Sequence, residues 1–187
     1  MLKKTTMIAV LFSSMLFGLA ESDIKSEMNS RIQTIITVLQ DKSLSDSAKK
    51  VKIYESIGIV FDYKTMSKIS LGRVWKTLNS EEKSSFITVF EQKLKNSYFE
   101  KLELYTDEKV VVKSLEKTKS TRIKLYSDIV GAEENYEVIY KFYKVKHSSD
   151  WRIYDIEITG VSIVQTYRKQ FAEFLKSKSF ADLLASL

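Results

Sequence analysis

Apolar positions recur at a helical period over the first half of the chain and at a period of two over most of the second. Ser22 to about Gln40 puts Ile24, Met28, Ile32, Ile35, Ile36 and Leu39 on one side of a helix. The polar break Asp41–Asp46 precedes a second helix, about Ser47–Val60, whose apolar side uses Ala48, Val51, Tyr54 and Ile57. Asp62 stands where it caps a short third helix through Met66, Ile69 and Leu71, and Gly72 marks that helix's end or a tight packing site. Asn79 with Glu82 forms a capping box opening a long helix with the stripe Phe86, Val89, Phe90, Leu94, Tyr98 and Leu102.

After Tyr105 the period becomes two. Lys109–Leu115, Arg122–Val130, Tyr136–Lys146 and Trp151–Thr159 read as four consecutive strands. The short breaks Glu116–Ser120, Gly131–Asn135 and His147–Asp150 predict antiparallel hairpins. The third strand is apolar on both faces, with Tyr136, Val138, Tyr140 and Phe142 on one and Ile139, Tyr143 and Val145 on the other. Either helices cover both faces, or one face lines an internal cavity. The fold class is therefore α+β: N-terminal helices, a four-stranded antiparallel curved sheet, then C-terminal helices packed on it.

Two structural rules meet in Trp151–Phe171. The strand places Tyr154, Ile156 and Ile158 on one face, and Ile153, Asp155, Glu157 and Thr159 on the other. Gly160 breaks it, and Ser162 with Gln165 reads as a capping box for a helix whose apolar side is Val164, Tyr167, Phe171, Phe174 and Leu175. A shorter helix, about Phe180–Ser186, ends the chain.

The same stretch resembles the C-terminal signature of the MlaC-type, or toluene-tolerance, phospholipid-binding family. The signature is carried by Trp151, Tyr154-Asp155, Gly160-Val161-Ser162 and Tyr167-Arg168-Lys169-Gln170-Phe171. Upstream, Phe61–Trp75 resembles the family's F-D…M…L-G-R-x-W block, and the likeness extends from about Ile24 to Leu187. Thr166 stands where the family has Asn, and Ser80 where it has Pro. The resemblance implies a periplasmic carrier holding a phospholipid's tails in an apolar cavity between sheet and helices. It also implies a pathway maintaining outer-membrane lipid asymmetry. In that pathway lipid passes between an outer-membrane lipoprotein complex and the substrate-binding subunit of an inner-membrane ABC transporter.

Composition narrows the rest. The chain of 187 residues is 44% hydrophobic and 12% aromatic, enough for one packed domain. Met1–Ala20 has the form of a cleaved signal peptide: Lys3 and Lys4, an apolar run from Met7 to Leu19, and small residues at Gly18 and Ala20. That leaves 21–187 as a single exported domain, expected in the periplasm. Without Lys3 and Lys4 the formal charge of +6 falls to +4, and no basic run is interleaved with stacking aromatics, which argues against a nucleic-acid binder. With no cysteine, the fold must be held by its core alone.

Catalytic chemistry is sparse. The single histidine, His147, sits in the polar turn His147-Ser148-Ser149-Asp150, where near neighbours cannot form a nucleophile–base–orienter relay. One His and no Cys predict no metal. Glu81-Glu82 suit a helix N-terminus, and Glu133-Glu134 fall in a turn. No enzyme activity and no cofactor are expected, only phospholipid as cargo. The expected cavity lining is Val110, Val112, Ile123, Leu125, Val138, Tyr140, Ile156, Ile158, Val164 and Tyr167. Arg168, on or beside the apolar stripe, reads as paired with Asp155 or Asp62, as a side chain snorkelling to water, or as a phosphate contact at the cavity rim; Arg73 poses the same choice. Two other readings compete: a small α+β cavity enzyme, and a filled-core protein-interaction module.

Overall fold

The computed structural model describes residues 19–102, 109–131 and 134–187, in which four α-helices precede an antiparallel sheet and two follow it. The helices are α1 (Ile24–Gln40), α2 (Asp46–Gly58), α3 (Tyr63–Leu71), α4 (Ser80–Leu102), α5 (Ile163–Phe174) and α6 (Phe180–Ala185). The strands are β1 (Lys109–Lys119), β2 (Arg122–Val130), β3 (Asn135–Lys144), β4 (Trp151–Ile158) and β5 (Val161–Ser162), paired in chain order. Apart from Leu19 and Ala20, the expected signal peptide lies outside the described residues.

The α+β architecture matches the pattern of periods in the sequence, with five strands in place of four. The extra strand arises at Thr159–Gly160, where φ is 48° and 78°. Two successive positive φ angles make the tight turn that suits a two-residue hairpin. The chain doubles back, and Ile158 and Glu157 pair with Val161 and Ser162. β1 also runs further than expected, through Glu116 to Lys119, with register shifts between Val112 and Leu115 and between Lys117 and Lys119. β3 stops at Lys144, where the Val145 N–H turns to the Asp150 carbonyl at 2.8 Å.

A third register shift overturns the simple alternation in β4. Lys141 pairs with Asp155 but Phe142 pairs with Ile153, so Tyr154 is an inserted residue. Ile153 therefore shares the inner face with Ile156 and Ile158, opposite Phe142, Tyr140 and Val138. Tyr154 turns outward instead, with its ring 6.1 Å from that of Tyr143.

Caps fall where the sequence puts them. Asp62 accepts from the Thr65 N–H at 2.8 Å, and Asn79 and Glu82 exchange bonds at 2.8 and 2.9 Å. Ser162 accepts from the Gln165 N–H at 3.2 Å, but Gln165 is exposed and only this half of the box forms. In α2 the buried residue is Ile53, while Val51 is 55% exposed. Ile53 packs with Ile35 of α1 and Phe99 of α4, and Tyr54 and Ile57 of the expected side pack against them, while Val51 turns outward.

Two larger cores flank the sheet's inner face. One joins Ile24, Met28 and Ile32 of α1 to Ile123, Leu125, Phe142, Trp151 and Ile153. The other joins α3, α4, α5 and α6 through Met66, Phe86, Phe90, Leu94, Val164, Phe171 and Leu183. Phe61 and Ile156 pack against both. The outer edge of β4 is covered along its length by β5 and by chain from the N-terminal half. The Ile153 N–H donates to the Val60 carbonyl, and the Trp151 N–H to the Leu19 carbonyl, each at 2.8 Å.

Candidate functional site

On the sheet's inner face the register places Val110 and Val112 beside Ile129 and Ser127, and Leu125, Tyr140 and Ile156 in one row. Ile158 and Val138 pair in the next row along. These residues are not equally sealed. Ile123 and Leu125 are fully buried under α1, and Val164 is buried among the helices. Val110, Val112, Tyr140, Ile156, Ile158 and Tyr167 are half-buried although they face inward. Val138 is 4% exposed yet joins none of the packed clusters of described residues.

Tyr140 defines the character of this region. Its hydroxyl lies deep enough that burial pushes it up to about 12, with the contact to Ser127 pulling the other way. The same side chain keeps accessible surface. Free surface on an inward-facing side chain is what a residue lining a cavity would keep, since a filled core covers its members. Ser127, fully buried, donates to the Val138 carbonyl at 3.1 Å and is the polar member of this wall. Sequence reasoning passed over Ser127, although its place in the alternation Ile123, Leu125, Ser127 is legible.

α5 forms the facing wall. The Tyr167 ring stands edge-on to Phe90 at 5.0 Å and 5.4 Å from Phe171. Tyr98 of α4 also belongs here: burial, then the neighbouring Tyr167 and Asp155, raise its hydroxyl well above the ordinary value. α5 is fixed to the sheet by Asp155, 3% exposed, which accepts from the Val164 N–H, the Ser162 hydroxyl and Lys141. Lys141 also pairs with Glu157 at 2.6 Å. Burial works against the Lys141 ammonium, but Glu157 and Asp155 outweigh it and raise its pKa.

The two arginines lie outside this wall. Arg168 is exposed, and its Nε would lie 3.2 Å from a Cβ placed on Gly72, the residue before the exposed Arg73. Asp155 and Asp62 have other partners: Lys141, Ser162 and Val164 for the first, Thr65 and Tyr143 for the second. The expected ion pair to either carboxylate is thus not formed, because α5 turns Arg168 toward α3 and solvent.

His147 lies in an exposed turn, at φ 60°, within an open groove of about 690 Å³ that contains none of the expected lining residues. Among the described residues no group of three His, Cys, Asp or Glu could hold a metal ion, and no helix is long and apolar enough to cross a membrane.

The fold is similar to that of a phospholipid-binding protein from Ralstonia solanacearum, solved in complex with a phospholipid. The TM-score is 0.74 at 21% identity, covering 86% of this chain and 92% of that one. A curated relative, the intermembrane phospholipid transport system binding protein MlaC of Haemophilus influenzae, is 22% identical over 120 residues. That match takes in 63% of this chain and spans 56% of the relative's length. Residues 29–187 match the family model described as MlaC protein, and on that match the chain belongs to the MlaC protein family.

Proposed function

We propose that this chain is a periplasmic phospholipid carrier, with 21–187 as its exported lipid-binding domain. The observation that carries the reading is Tyr140, deep in the body yet partly uncovered, in a wall shared with Val110, Val112, Val138, Ile156 and Ile158. Val164 and Tyr167 face it from α5, and Ile123 and Leu125 form its sealed floor. The names of the two relatives, one binding phospholipid and one serving intermembrane phospholipid transport, favour the same cargo.

The physics needs no catalytic group. Each tail methylene in water costs about 0.8 kcal/mol, so two bare acyl chains cost roughly 25 kcal/mol. Transfer from a bilayer to an apolar hollow is nearly neutral by comparison, which lets a carrier both accept and surrender its lipid. Arg73 and Arg168 stand ready at the surface beside Gly72 as phosphate contacts for a headgroup. In this reading lipid is handed between an outer-membrane lipoprotein complex and an inner-membrane ABC transporter.

Gentle purification of the exported protein, followed by solvent extraction and lipid mass spectrometry, tests it. About one phospholipid per folded chain is expected; well-folded protein that yields no lipid, and takes up none from vesicles, would end the proposal.

A further inference from the structure

The antiparallel order brings the β1–β2 and β3–β4 turns to the same end of the sheet. That end is basic. Lys119, Arg122, Lys144 and Lys146 lie there, and none makes an ion pair among the described residues. The opposite end carries Lys109 but four acids, Asp128, Glu134, Glu137 and Glu157, of which Asp128 and Glu157 are met by Lys113 and Lys141. The sheet is therefore polarised along its strands.

The basic end is also concave. Arg122, Tyr143, Lys144, Lys146, His147 and Ser148 line the groove of about 690 Å³. Arg122 is held in place: its guanidinium carbon lies 5.6 Å from the Tyr143 ring centre and 5.4 Å from that of Tyr154, and its Nη1 donates to the Thr121 carbonyl at 2.8 Å. A guanidinium fixed on aromatic faces gives up little freedom when its remaining donors meet a carboxylate. The nearby acids are Asp62, already engaged by Tyr143 and Thr65, and Asp150 in the turn itself. The most exposed large apolar side chains, Val51, Ile59, Val111, Val130, Tyr136 and Val161, do not line the groove, although Tyr143 and Val145 are among the residues that do.

The geometry points to this groove as a docking site for an acidic segment of a protein partner, whose carboxylates enter between Arg122 and the Lys144–Lys146 rim. Opposite charge here speeds encounter and sets the orientation of docking. The site is separate from the lipid hollow and stands or falls independently of the carrier reading.

A fluorescein-labelled oligoglutamate peptide is the probe, titrated by anisotropy against the full exported chain at low and at physiological salt. Binding at low salt that weakens as salt rises is expected. The variant Arg122→Gln/Lys144→Gln/Lys146→Gln should bind about tenfold more weakly. Lys144→Gln/Lys146→Gln, which leaves the Arg122 stacking intact, should lose about threefold. Lys42→Gln/Lys169→Gln/Lys178→Gln removes the same charge from exposed positions elsewhere and should bind like the parent. Equal weakening in that control, absence of peptide binding, or preference for phosphatidylglycerol vesicles over peptide overturns the proposal. Lipid content measured on the same samples separates the two readings: peptide binding by lipid-free protein leaves this site standing while removing the carrier.

Discussion

The Asp155 carboxylate accepts the backbone N–H of Val164 at 3.2 Å, so the last long strand of the sheet caps the helix that follows it. The other carboxylate oxygen takes the Ser162 hydroxyl at 2.7 Å and the Lys141 ammonium at 3.1 Å. One buried side chain thus satisfies an orphan helix donor, a cap hydroxyl and a half-buried cation. Replacing Asp155 by Ala strands the Val164 N–H and the Ser162 hydroxyl and leaves Lys141 with Glu157 alone, with an expected loss of about 3 kcal/mol. Asp155→Asn keeps acceptor capacity and should lose less. Urea unfolding checks both: the midpoint should fall while the slope stays constant.

Gly72 is constrained twice. Its φ of 58° with ψ of −120° lies where only glycine is at ease, and Arg168 leaves a Cβ just 3.2 Å from Nε. Gly72→Ala should cost about 2 kcal/mol. Adding Arg168→Ala relieves the contact but not the backbone, so the double variant should recover only part of the loss. Full recovery would assign the whole effect to crowding by Arg168.

The helices and strands were legible because each carries an uninterrupted period and its own punctuation. Asp62, Asn79 and Ser162 announce their helices, and the Gly160 break announces the turn. The misplaced face in β4 was not legible, because an inserted residue such as Tyr154 leaves no compositional mark: Ile153 and Tyr154 suit either side of a strand equally well. Of the readings open for Arg168, the ion pair fails for a related reason, while an exposed side chain reaching water is what is found. A helical wheel places it beside Val164 and Phe171, but only the docked position of α5 shows that this flank meets α3 at Gly72 and not a carboxylate. The expected cavity rested only on surplus apolar surface on β3. Whether such surface is filled depends on how far α4 and α5 stand from the sheet, which periodicity does not encode.

Ile156 touches both large cores from a half-buried position, which makes it the residue to enlarge. Ile156→Trp adds bulk at the seam between them. If the seam is hollow, the ring is accommodated and lipid is displaced: bound phospholipid should fall severalfold while the lipid-free melting temperature changes little. If the seam is solid, overpacking should destabilise the chain by about 1–3 kcal/mol instead. Lipid extraction and a thermal melt on the same sample distinguish the outcomes.

Asp62 sets the behaviour of the fold in acid. Burial pushes its carboxyl up, but the Tyr143 hydroxyl, both donors of Thr65 and the charge of Arg152 together hold it below the ordinary value of 3.8. The unfolded chain therefore binds this proton more readily than the folded one. The stabilisation is complete above 3.8 and drains away as pH falls through the lower, folded value. Tyr143→Phe removes one of those donors, leaving Asp62 closer to the unfolded value. Parent and variant should differ by about 1.5 kcal/mol in neutral solution. The gap should hold constant down to the carboxylate range and close as Asp62 protonates in both. Chemical unfolding repeated from neutral to acid pH measures it. A gap that persists unchanged at the acid end would show that Tyr143 contributes packing between Arg122 and Tyr154 and not a hydrogen bond to the Asp62 carboxylate.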